Sequence, residues 1–541
     1  MHGLMMDFQL TIPTILRRAE SLFGHKQVVT RLPDRSIVRH PYADVLDRAK
    51  RLAVALTELG VRPGDRVATL GWNTQHHLEA YLAIPSIGAV LHTLNLRLHC
   101  DDISYIVNDA EDTVLLLDAS TLPIYEQFKA RVKIRKAIVM SPAPGDHGPD
   151  LLDYETLLAG ADPARYVEPR LDEQDAAAMC YTSGTTGRPK GVLYSHRALM
   201  LHSLAQAARD CLGVGEQDVI LPVVPMFHVN AWGLPFTCTM VGTTQVFPGP
   251  FLDPDSLLEL LVSERVTVTA GVPTVWMGLL QVLDKNPGKY DLSRLRAIVC
   301  GGSAASPALI RGLQDRHGLL LVHAWGMTEM TPLGTVCTVP SYLADAPFED
   351  QLRYRARQGV PQTLVEIRAR TDDGFAPWDG KTMGELEVRG PWVAASYYNS
   401  EGPDDRFTTD GWFRTGDIVT IGERGCIELT DRAKDLVKSG GEWISTVALE
   451  TALMCHPAVA EAAVIAVPHP KWDERPLAVV VLKPGQPATA DDLRAFLAPN
   501  FAKWWLPDAI EFAQEIPRTS VGKFKKTTLR DRYRDHYQVV G

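Results

Sequence analysis

The chain has 541 residues, of which 45% are hydrophobic and 22% are charged, and its formal net charge at pH 7 is -10. This length exceeds what one hydrophobic core usually supports, so we expect two or more domains. The acidic balance argues against a general nucleic-acid-binding protein, although a local loop can still bind the phosphates of a nucleotide.

The cysteines and the N-terminal residues indicate the compartment. The cysteines are scattered along the chain without a Cys-x-x-Cys pair, so we expect buried thiols rather than disulfides or a zinc site. No apolar run reaches the roughly eighteen residues that span a bilayer, and the N-terminal stretch lacks an apolar signal core. The sequence therefore predicts a cytoplasmic protein without an integral membrane segment.

Short apolar strands alternate with helices from the N-terminus onward. Apolar residues at steps of three and four predict a helix over residues 42–60, which ends at Gly60. A turn and a strand follow at residues 61–70, and the same alternation continues through residues 77–91 and 102–118. This pattern is typical of parallel sheets whose strands are joined by helices.

The alternation continues in the middle of the chain and changes towards the C-terminus. Further strands are predicted at residues 218–225, 267–273, 296–303 and 319–325. The third of these ends in glycines, where a doubly wound sheet places its ligands. After residue 350, short strands and turns predict a small all-β portion, and about the last hundred residues carry an α+β pattern of their own.

A charged segment near the start of that last pattern predicts the domain boundary. We expect an N-terminal domain over residues 1–431, a hinge linker over residues 432–437 and a mobile C-terminal domain over residues 438–541. The predicted fold class is α/β. A large N-terminal domain of parallel-sheet α/β subdomains plus a small β-barrel-like portion would be followed by a small α+β C-terminal domain.

Residues 181–191, Tyr-Thr-Ser-Gly-Thr-Thr-Gly-Arg-Pro-Lys-Gly, are rich in glycine and in hydrogen-bond donors. Glycines let backbone N–H groups approach an anion, hydroxyl groups add donors, and a lysine adds a charge suited to phosphate. The spacing differs from the Gly-x-x-x-x-Gly-Lys-Ser/Thr loop of nucleoside triphosphatases. A solvated turn is the alternative interpretation. The candidate phosphate contacts are Ser183, Gly184, Thr185, Thr186, Gly187 and Lys190.

Three further loops add complementary groups. Residues 325–329, Trp-Gly-Met-Thr-Glu, combine an aromatic face, a hydroxyl group and a carboxylate. Residues 415–417, Thr-Gly-Asp, supply a carboxylate that suits two vicinal hydroxyl groups, and Arg432 follows shortly after. Residues 517–523 form a second glycine-lysine loop. An aromatic contact, phosphate loops, a metal carboxylate and a ribose carboxylate together fit ATP with Mg²⁺.

In their order and spacing, these motifs resemble those of the adenylate-forming superfamily of acyl-CoA synthetases, adenylation domains and firefly-type luciferases. Residues 225–232, 438–444 and 468–476 read like the bacterial long- and medium-chain fatty acyl-CoA synthetases. The resemblance implies ATP-dependent activation of a fatty acid to an acyl-adenylate, followed by transfer to CoA, which yields acyl-CoA, AMP and pyrophosphate. It also implies Mg²⁺ as a cofactor and a homodimer.

The resemblance assigns roles in the ATP site. Residues 181–191 would hold the β- and γ-phosphates, with Thr182 as a further contact. Thr328 would contact phosphate, and Glu329 would bind Mg²⁺ together with Thr185. The ribose and the adenine would be held by Asp417, Arg432, Gly302, Ser303, Ala304, Trp325, Gly326 and Met327.

The resemblance also implies a second use of the C-terminal domain. Lys523 would stabilise charge while the substrate carboxylate attacks the α-phosphorus of ATP. The domain would then rotate about Lys434 so that the thiol of CoA can reach the acyl group. Gly440 and Gly441 would edge the tunnel for the pantetheine arm of CoA, and Lys438 and Trp443 complete the predicted cofactor contacts.

The acyl group is expected around His228. Amino-acid-activating relatives carry an aspartate after the phenylalanine, which pairs with the substrate amine, whereas His228 follows Phe227 here. We therefore expect a substrate without an α-ammonium group, next to side chains that suit an alkyl chain. The predicted substrate contacts are His228, Val229, Asn230, Trp232, Gly233, Gly326 and Met327. The predicted catalytic residues are Lys523, Thr328, Glu329 and His228.

Three alternatives remain beside the fatty acid–CoA ligase. The chain could activate another carboxylate, such as a short sulfur-containing or aryl acid. It could be a luciferase-like oxidase that acts on the bound adenylate. It could also be a non-catalytic acyl-nucleotide-binding protein, although the presence of both Lys523 and Glu329 argues against this last class.

Overall fold

The computed structural model describes residues 1, 3–182, 188–400, 402, 404–432, 435–439, 442–518 and 524–537, with the backbone alone at residues 442 and 443. Its strands, in chain order, are β1 (Gln27–Arg31), β2 (Ile37–Pro41), β3 (Arg66–Leu70), β4 (Val90–Thr93), β5 (Val114–Asp118), β6 (Lys136–Met140), β7 (Leu151–Asp153), β8 (Ala176–Tyr181), β9 (Gly191–Ser195), β10 (Val219–Pro222), β11 (Thr244–Phe247), β12 (Val268–Gly271), β13 (Ala297–Cys300), β14 (Leu321–Gly326), β15 (Leu333–Cys337), β16 (Val360–Pro361), β17 (Glu366–Thr371), β18 (Gly374–Phe375), β19 (Gly384–Arg389), β20 (Phe413–Ile421), β21 (Ile427–Arg432), β22 (Val437–Ser439), β23 (Glu442–Ile444), β24 (Val459–His469), β25 (Asp473–Leu482) and β26 (Ala509–Phe512).

The helices are, in the same order, α1 (Ile12–Phe23), α2 (Tyr42–Glu58), α3 (Gln75–Ser86), α4 (Cys100–Asp109), α5 (Leu122–Phe128), α6 (Tyr154–Gly160), α7 (His196–Ala207), α8 (Val229–Trp232), α9 (Leu234–Val241), α10 (Pro254–Ser263), α11 (Pro273–Lys285), α12 (Pro307–His317), α13 (Phe348–Arg355), α14 (Thr446–Met454), α15 (Ala490–Leu497) and α16 (Lys526–Tyr533). Among the helices of the described residues, none has both the length and the apolar character that crossing a bilayer requires.

Two large sheets carry most of the strands. In the described part of the chain, one sheet has the order β16-β15-β14-β13-β12-β10-β11-β1-β2 and the other has the order β7-β6-β5-β3-β4-β8-β9. Helix α3 packs against β1 of the first sheet and against β3 and β8 of the second, so it lies between them. Eleven of its twelve residues are buried, which explains why it is not amphipathic like a surface helix.

The strands predicted from the sequence are present, within a few residues of their predicted ends. The predicted strands at residues 218–225, 267–273, 296–303 and 319–325 correspond to β10, β12, β13 and β14, which lie in one sheet. Neighbouring pairs among these four strands are parallel. The predicted α/β class is confirmed.

Two smaller sheets follow. The first is antiparallel, with the order β18-β17-β19-β20-β21, and corresponds to the predicted small β portion. The second contains β23-β22-β25-β24, with β26 beside β25. Buried residues from Val437 onward form hydrophobic clusters that contain no residue of the large sheets. A separate core is what a C-terminal domain needs, and the division at residues 431 and 437 stays a prediction.

Candidate active site

A cavity of about 630 Å³ lies where β8, β13 and β14 end. The carboxyl ends of parallel strands are the usual place for ligands in such sheets. The cavity also reaches the small antiparallel sheet through β20 and β21. The predicted site residues that line it are Thr182, Lys190, His228, Val229, Trp232, Gly302, Trp325, Gly326, Met327, Thr328, Glu329 and Arg432.

A second cavity of about 270 Å³ shares part of this wall and extends towards the C-terminal domain. Ser303, Ala304 and Asp417 line it on the N-terminal side. On the opposite side lie residues 518 and 524–527, which flank the segment that contains Lys523. The C-terminal domain therefore presents residues 518 and 524–527 to the predicted adenine and ribose residues.

Asp417 and Arg432 are directly opposite each other on β20 and β21, and Trp325 joins them from β14. The indole Nε1 of Trp325 donates a hydrogen bond of 2.8 Å to Oδ2 of Asp417. The other carboxylate oxygen, Oδ1, is buried without a hydrogen-bond partner, although Nε of Arg432 lies 3.2 Å away. The Asp417 charge raises the pKa of the Arg432 guanidinium. A buried acceptor of this kind is suited to a hydroxyl donor from a ribose.

Glu329 follows β14 and is only 3% exposed. Its Oε1 accepts a hydrogen bond of 2.6 Å from the Tyr397 hydroxyl and lies 3.3 Å from Nη1 of Arg406. Burial and the Glu329 charge raise the pKa of Tyr397, so its phenol stays protonated and donates. The preceding residue is anchored as well, because the Tyr194 hydroxyl donates to the carbonyl oxygen of Thr328. A carboxylate, an adjacent hydroxyl group and open cavity volume fit a Mg²⁺ ion, which prefers oxygen ligands.

Lys190 lies at the end of the predicted phosphate loop. Two hydrogen bonds join Thr182 and Lys190, on either side of this loop: the Thr182 N–H donates to the Lys190 carbonyl oxygen at 2.9 Å, and the Lys190 N–H donates to Thr182 Oγ1 at 3.1 Å. The ammonium group of Lys190 is 2.6 Å from Oδ2 of Asp404 and 4.5 Å from the centre of the Tyr397 ring. The lysine is thus held at the cavity with its charge partly neutralised. Ser183, Gly184, Thr185, Thr186 and Gly187 lie outside the described residues.

The acyl side of the cavity contains a left-handed turn. Val229, Asn230, Ala231 and Trp232 have φ between 45° and 58°, and Gly233 follows at 74°. Only the last residue is a glycine, and each of the others costs about 1–2 kcal/mol in this conformation. The turn sends Val229 and Trp232 into the cavity wall. Tertiary packing therefore has to hold the turn in place.

Buried polar side chains supply that support. The Asn230 side chain is 1% exposed and bonds to Cys180 and Tyr81. The amide of Gln206 donates a 2.7 Å bond to the carbonyl oxygen of Trp232. Asn230 and Gly233, which the sequence placed at the substrate, are not among the described residues that line the cavity. Their predicted contact with the acyl group stays a prediction.

His202 packs beneath the same turn. A Cβ atom at Gly233 would lie 2.7 Å from the His202 ring, so glycine is needed there for space as well as for its φ. The ring is fully buried, and burial lowers the pKa of His202 to about 3. The imidazole is therefore neutral in the folded protein at neutral pH.

This burial predicts an acid-sensitive fold. Between pH 6.5 and about 3, the unfolded chain binds a proton at His202 that the folded chain excludes, so stability falls as pH falls. We expect the wild type to lose about 1.5 kcal/mol more than His202→Gln between pH 6.5 and pH 5. Urea unfolding at both pH values measures this difference. His99→Gln, in which an exposed histidine is replaced, should lose as much stability as the wild type between the two pH values.

Comparison with known proteins identifies the family. Residues 17–398 match the AMP-binding enzyme model, and residues 448–523 match the AMP-binding enzyme C-terminal domain. This chain belongs to the AMP-binding enzyme family. The resemblance to the adenylate-forming superfamily is thereby confirmed.

Several relatives of this AMP-binding enzyme match nearly end to end. The long-chain-fatty-acid–CoA ligase of Thermus thermophilus is 50% identical over 98% of this chain and 97% of its own. The medium-chain-fatty-acid–CoA ligase of Ectopseudomonas oleovorans is 44% identical, over 99% and 98%. The 3-methylmercaptopropionyl-CoA ligase of Ruegeria pomeroyi is 43% identical, over 99% of both chains.

Solved structures match the whole fold of the AMP-binding enzyme. An anthranilate CoA ligase in complex with anthranoyl-AMP has a TM-score of 0.86 and 26% identity, over 97% of this chain and 98% of its own. An ATP-bound enzyme from Rhodopseudomonas palustris has a TM-score of 0.84 and 28% identity, over 98% and 100%. The two predicted parts of the fold, large and small, both fall within these matches.

Other predicted site residues of the AMP-binding enzyme are either not described or described away from both cavities. Lys523, Lys434, Gly440, Gly441 and the Trp443 side chain lie outside the described part of the structure. Lys438 is described on β22, where its backbone N–H donates to Glu474, and it does not line either described cavity. The predicted contacts of these residues with CoA stay predictions.

Sequence reasoning also missed functional candidates. Tyr397, Asp404 and Arg406 contact Glu329 or Lys190, yet none of them lies in a motif singled out above. The only signal was a Tyr-Tyr pair followed by an Asp-Asp-Arg run in residues 397–406. Gln206 was missed as well, because a polar residue within an apolar helix gives no indication of a cavity.

Proposed function

We propose that this chain is an AMP-forming fatty acid–CoA ligase. It would activate a fatty acid with ATP to the acyl-adenylate and then transfer the acyl group to CoA, releasing AMP and pyrophosphate. The names of the relatives with 50% and 44% identity support a long- or medium-chain acid. Their coverage of nearly the whole chain supports both half-reactions, since both predicted domains are included.

One observation carries this proposal: a single cavity joins the predicted phosphate-binding residues at one end to apolar side chains at the other. The polar end contains Lys190, Thr328 and Glu329. Apolar side chains at the other end suit an alkyl chain. The carboxylates among the described lining residues are Glu329 and Asp109, and Asp109 already accepts a hydrogen bond from the Tyr181 hydroxyl. The apolar lining comprises Leu212, Val229, Trp232, Val299, Ala324 and Leu333.

In the first half-reaction, an oxygen of the acid attacks the α-phosphorus and pyrophosphate leaves. The chain needs no nucleophilic side chain for this step, because orientation and charge stabilisation suffice. Asp417 and Arg432 would orient the ribose, Lys190 would hold the leaving phosphates, and Lys523 would stabilise the α-phosphate. Bound Mg²⁺, which Glu329 and Thr185 would hold, would neutralise phosphate charge.

In the second half-reaction, the thiol sulfur of CoA attacks the acyl carbonyl and AMP leaves. Residues 524–527 now face the ribose side of the site, so the thiol needs another approach. We propose that the C-terminal domain, residues 438–541, rotates about Lys434 and thereby opens a path for the thiol to the acyl carbonyl. Gly440 and Gly441 would then border the pantetheine arm.

The test is AMP release by the purified protein with ATP, Mg²⁺ and CoA across saturated acids from C3 to C18. Benzoate and 3-methylthiopropionate belong in the panel, because one relative at 43% identity carries the name of a methylmercaptopropionyl-CoA ligase. Highest kcat/KM for a C8–C18 acid is the expected result. A preference for either of the other two acids would contradict the fatty acid assignment, and absence of AMP release with any acid would contradict the ligase.

Trp232 is expected to limit the acyl chain length. Its ring lines the cavity and lies 3.1 Å from the position that a Cβ atom at Gly301 would occupy, so it fills space next to the apolar end. Trp232→Ala should raise kcat/KM for C16 relative to C10 by about tenfold, because each added methylene then finds room. Trp378→Ala, which truncates an exposed tryptophan, is the control. An unchanged chain-length profile would contradict this role.

The remaining assignments are a Mg²⁺ requirement, a homodimer and a cytoplasmic location. The oxygen ligands at Glu329 support the first, which metal titration of ATP binding tests. Light scattering on the purified protein tests the dimer. Fractionation of cells that express the chain tests the location.

A further inference from the structure

We propose, on the basis of the ATP-dependent function above, that Arg406 is an additional residue that binds the triphosphate of ATP. It pairs with Glu329 in the nucleotide-free protein and transfers the Nη1 N–H groups that face Glu329 to the β- or γ-phosphate when ATP binds. Arg406 lines the cavity of about 630 Å³ together with Lys190 and Glu329.

The orientation of the Arg406 guanidinium is set by the protein. Nε donates a 3.1 Å bond to the carbonyl oxygen of Arg414, and Nη2 donates a 3.0 Å bond to that of Thr415. The guanidinium lies 4.6 Å from the centre of the Phe413 ring. Two backbone bonds and a ring contact hold a long side chain in one orientation, so little entropy is lost when it binds a ligand.

The remaining edge of the guanidinium faces the catalytic groups. Nη1 lies 3.0 Å from the Tyr397 hydroxyl oxygen and 3.3 Å from Oε1 of Glu329. The side chain is 34% exposed, which leaves this edge open to the cavity. An arginine edge beside a metal-binding carboxylate is placed where phosphate oxygens would lie, and arginine binds phosphate through two parallel bonds.

Lys190 is arranged in a similar way on the other side of Tyr397. Its ammonium group pairs with Asp404, whose other carboxylate oxygen accepts the backbone N–H of Arg406. Lys190 and Arg406 are therefore each paired with one carboxylate in the absence of nucleotide. ATP brings several negative charges, so both cations gain a stronger partner and Glu329 becomes available to Mg²⁺.

On this proposal Arg406 contacts the β- or γ-phosphate. Removal of the Arg406 guanidinium should therefore weaken the binding of ATP more than the binding of AMP, because AMP lacks the β- and γ-phosphates. A residue that only supports the fold would affect both nucleotides equally. This difference separates a binding role from a structural one.

The experiment is calorimetric binding of α,β-methylene-ATP, with and without Mg²⁺, and of AMP to the purified full chain. Arg406→Gln should weaken binding of the ATP analogue by about 10- to 30-fold and change AMP binding less than threefold. Arg406→Lys should give an intermediate loss, because it keeps the charge without the planar edge. Arg389→Gln is the matched control, since Arg389 also pairs with a glutamate and stacks on a tryptophan, outside the cavity.

A second variant tests the pairing of the neighbouring cation, Lys190. Asp404→Asn removes the partner of Lys190 and should tighten binding of the ATP analogue by about threefold. Equal losses for AMP and the ATP analogue in Arg406→Gln, or unchanged binding of both, would overturn the role of Arg406. Failure of the wild type to bind the ATP analogue would instead overturn the proposed function.

Discussion

Glu329→Gln is expected to lower the rate of ATP–pyrophosphate exchange by about 10²–10³-fold, the scale of losing one preorganised group that stabilises charge. The substitution keeps the size of a side chain that is 3% exposed and leaves Tyr397 able to donate to it. It removes the negative charge that would bind Mg²⁺. The loss should therefore appear in the rate and in the Mg²⁺ concentration needed for half-maximal exchange.

Exchange measured over a range of Mg²⁺ concentrations tests this prediction. Glu385→Gln provides the control, because Glu385 is also a glutamate paired with an arginine, but it lies on β19 of the small antiparallel sheet and its partner is Arg414. Thermal unfolding of both variants should remain close to that of the wild type. If exchange falls less than threefold, or if Glu385→Gln loses as much, Glu329 does not hold the metal.

Asp417→Asn is expected to raise the KM for ATP by about 10- to 100-fold, since a hydrogen bond to a charged group is worth about 1.5–3 kcal/mol. Oδ2 of Asp417 already accepts the Trp325 N–H, and the buried Oδ1 has no hydrogen-bond partner. An asparagine that keeps the Trp325 bond turns its NH₂ group towards Arg432. Either orientation removes the second acceptor, on which the ribose hydroxyl groups would depend.

Initial rates at varied ATP and at varied fatty acid distinguish this effect from a general defect. The KM for the acid should change little, because the apolar end is formed by other residues. Asp410→Asn, which affects an exposed aspartate paired with Arg368, serves as the comparison. A similar rise in both KM values would assign Asp417 to packing around Trp325 rather than to the ribose.

The fold was predictable where the pattern is local. The helix over residues 42–60 appears as α2, Tyr42–Glu58, because its apolar residues recur with the helical period. Strands β10, β12, β13 and β14 were predictable for a similar reason, since each is a short apolar run bounded by turns. Their order in the sheet was not, because it depends on contacts between segments far apart in the chain.

The left-handed turn at Val229–Gly233 was not predictable. Valine and tryptophan disfavour positive φ, so local preference argues against the observed conformation. The turn is held in place by two contacts. Gln206 donates a hydrogen bond to the Trp232 carbonyl oxygen, and the buried side chain of Asn230, within the turn, bonds to Cys180. Asn230, assigned to the substrate from its place in a motif, bonds to Cys180 and Tyr81 in the protein interior, and its substrate contact stays a prediction.

By itself, the sequence determined the family and the α/β class and supplied most of the candidate nucleotide-binding residues, because these depend on residue types at set spacings along one segment. Only the tertiary structure decided which groups act together. Trp325 and Asp417 are bonded across 92 positions of the chain, and Glu329 meets Arg406 across 77. Such pairs depend on how β14 and the small sheet pack at one cavity, and no local pattern encodes that distance.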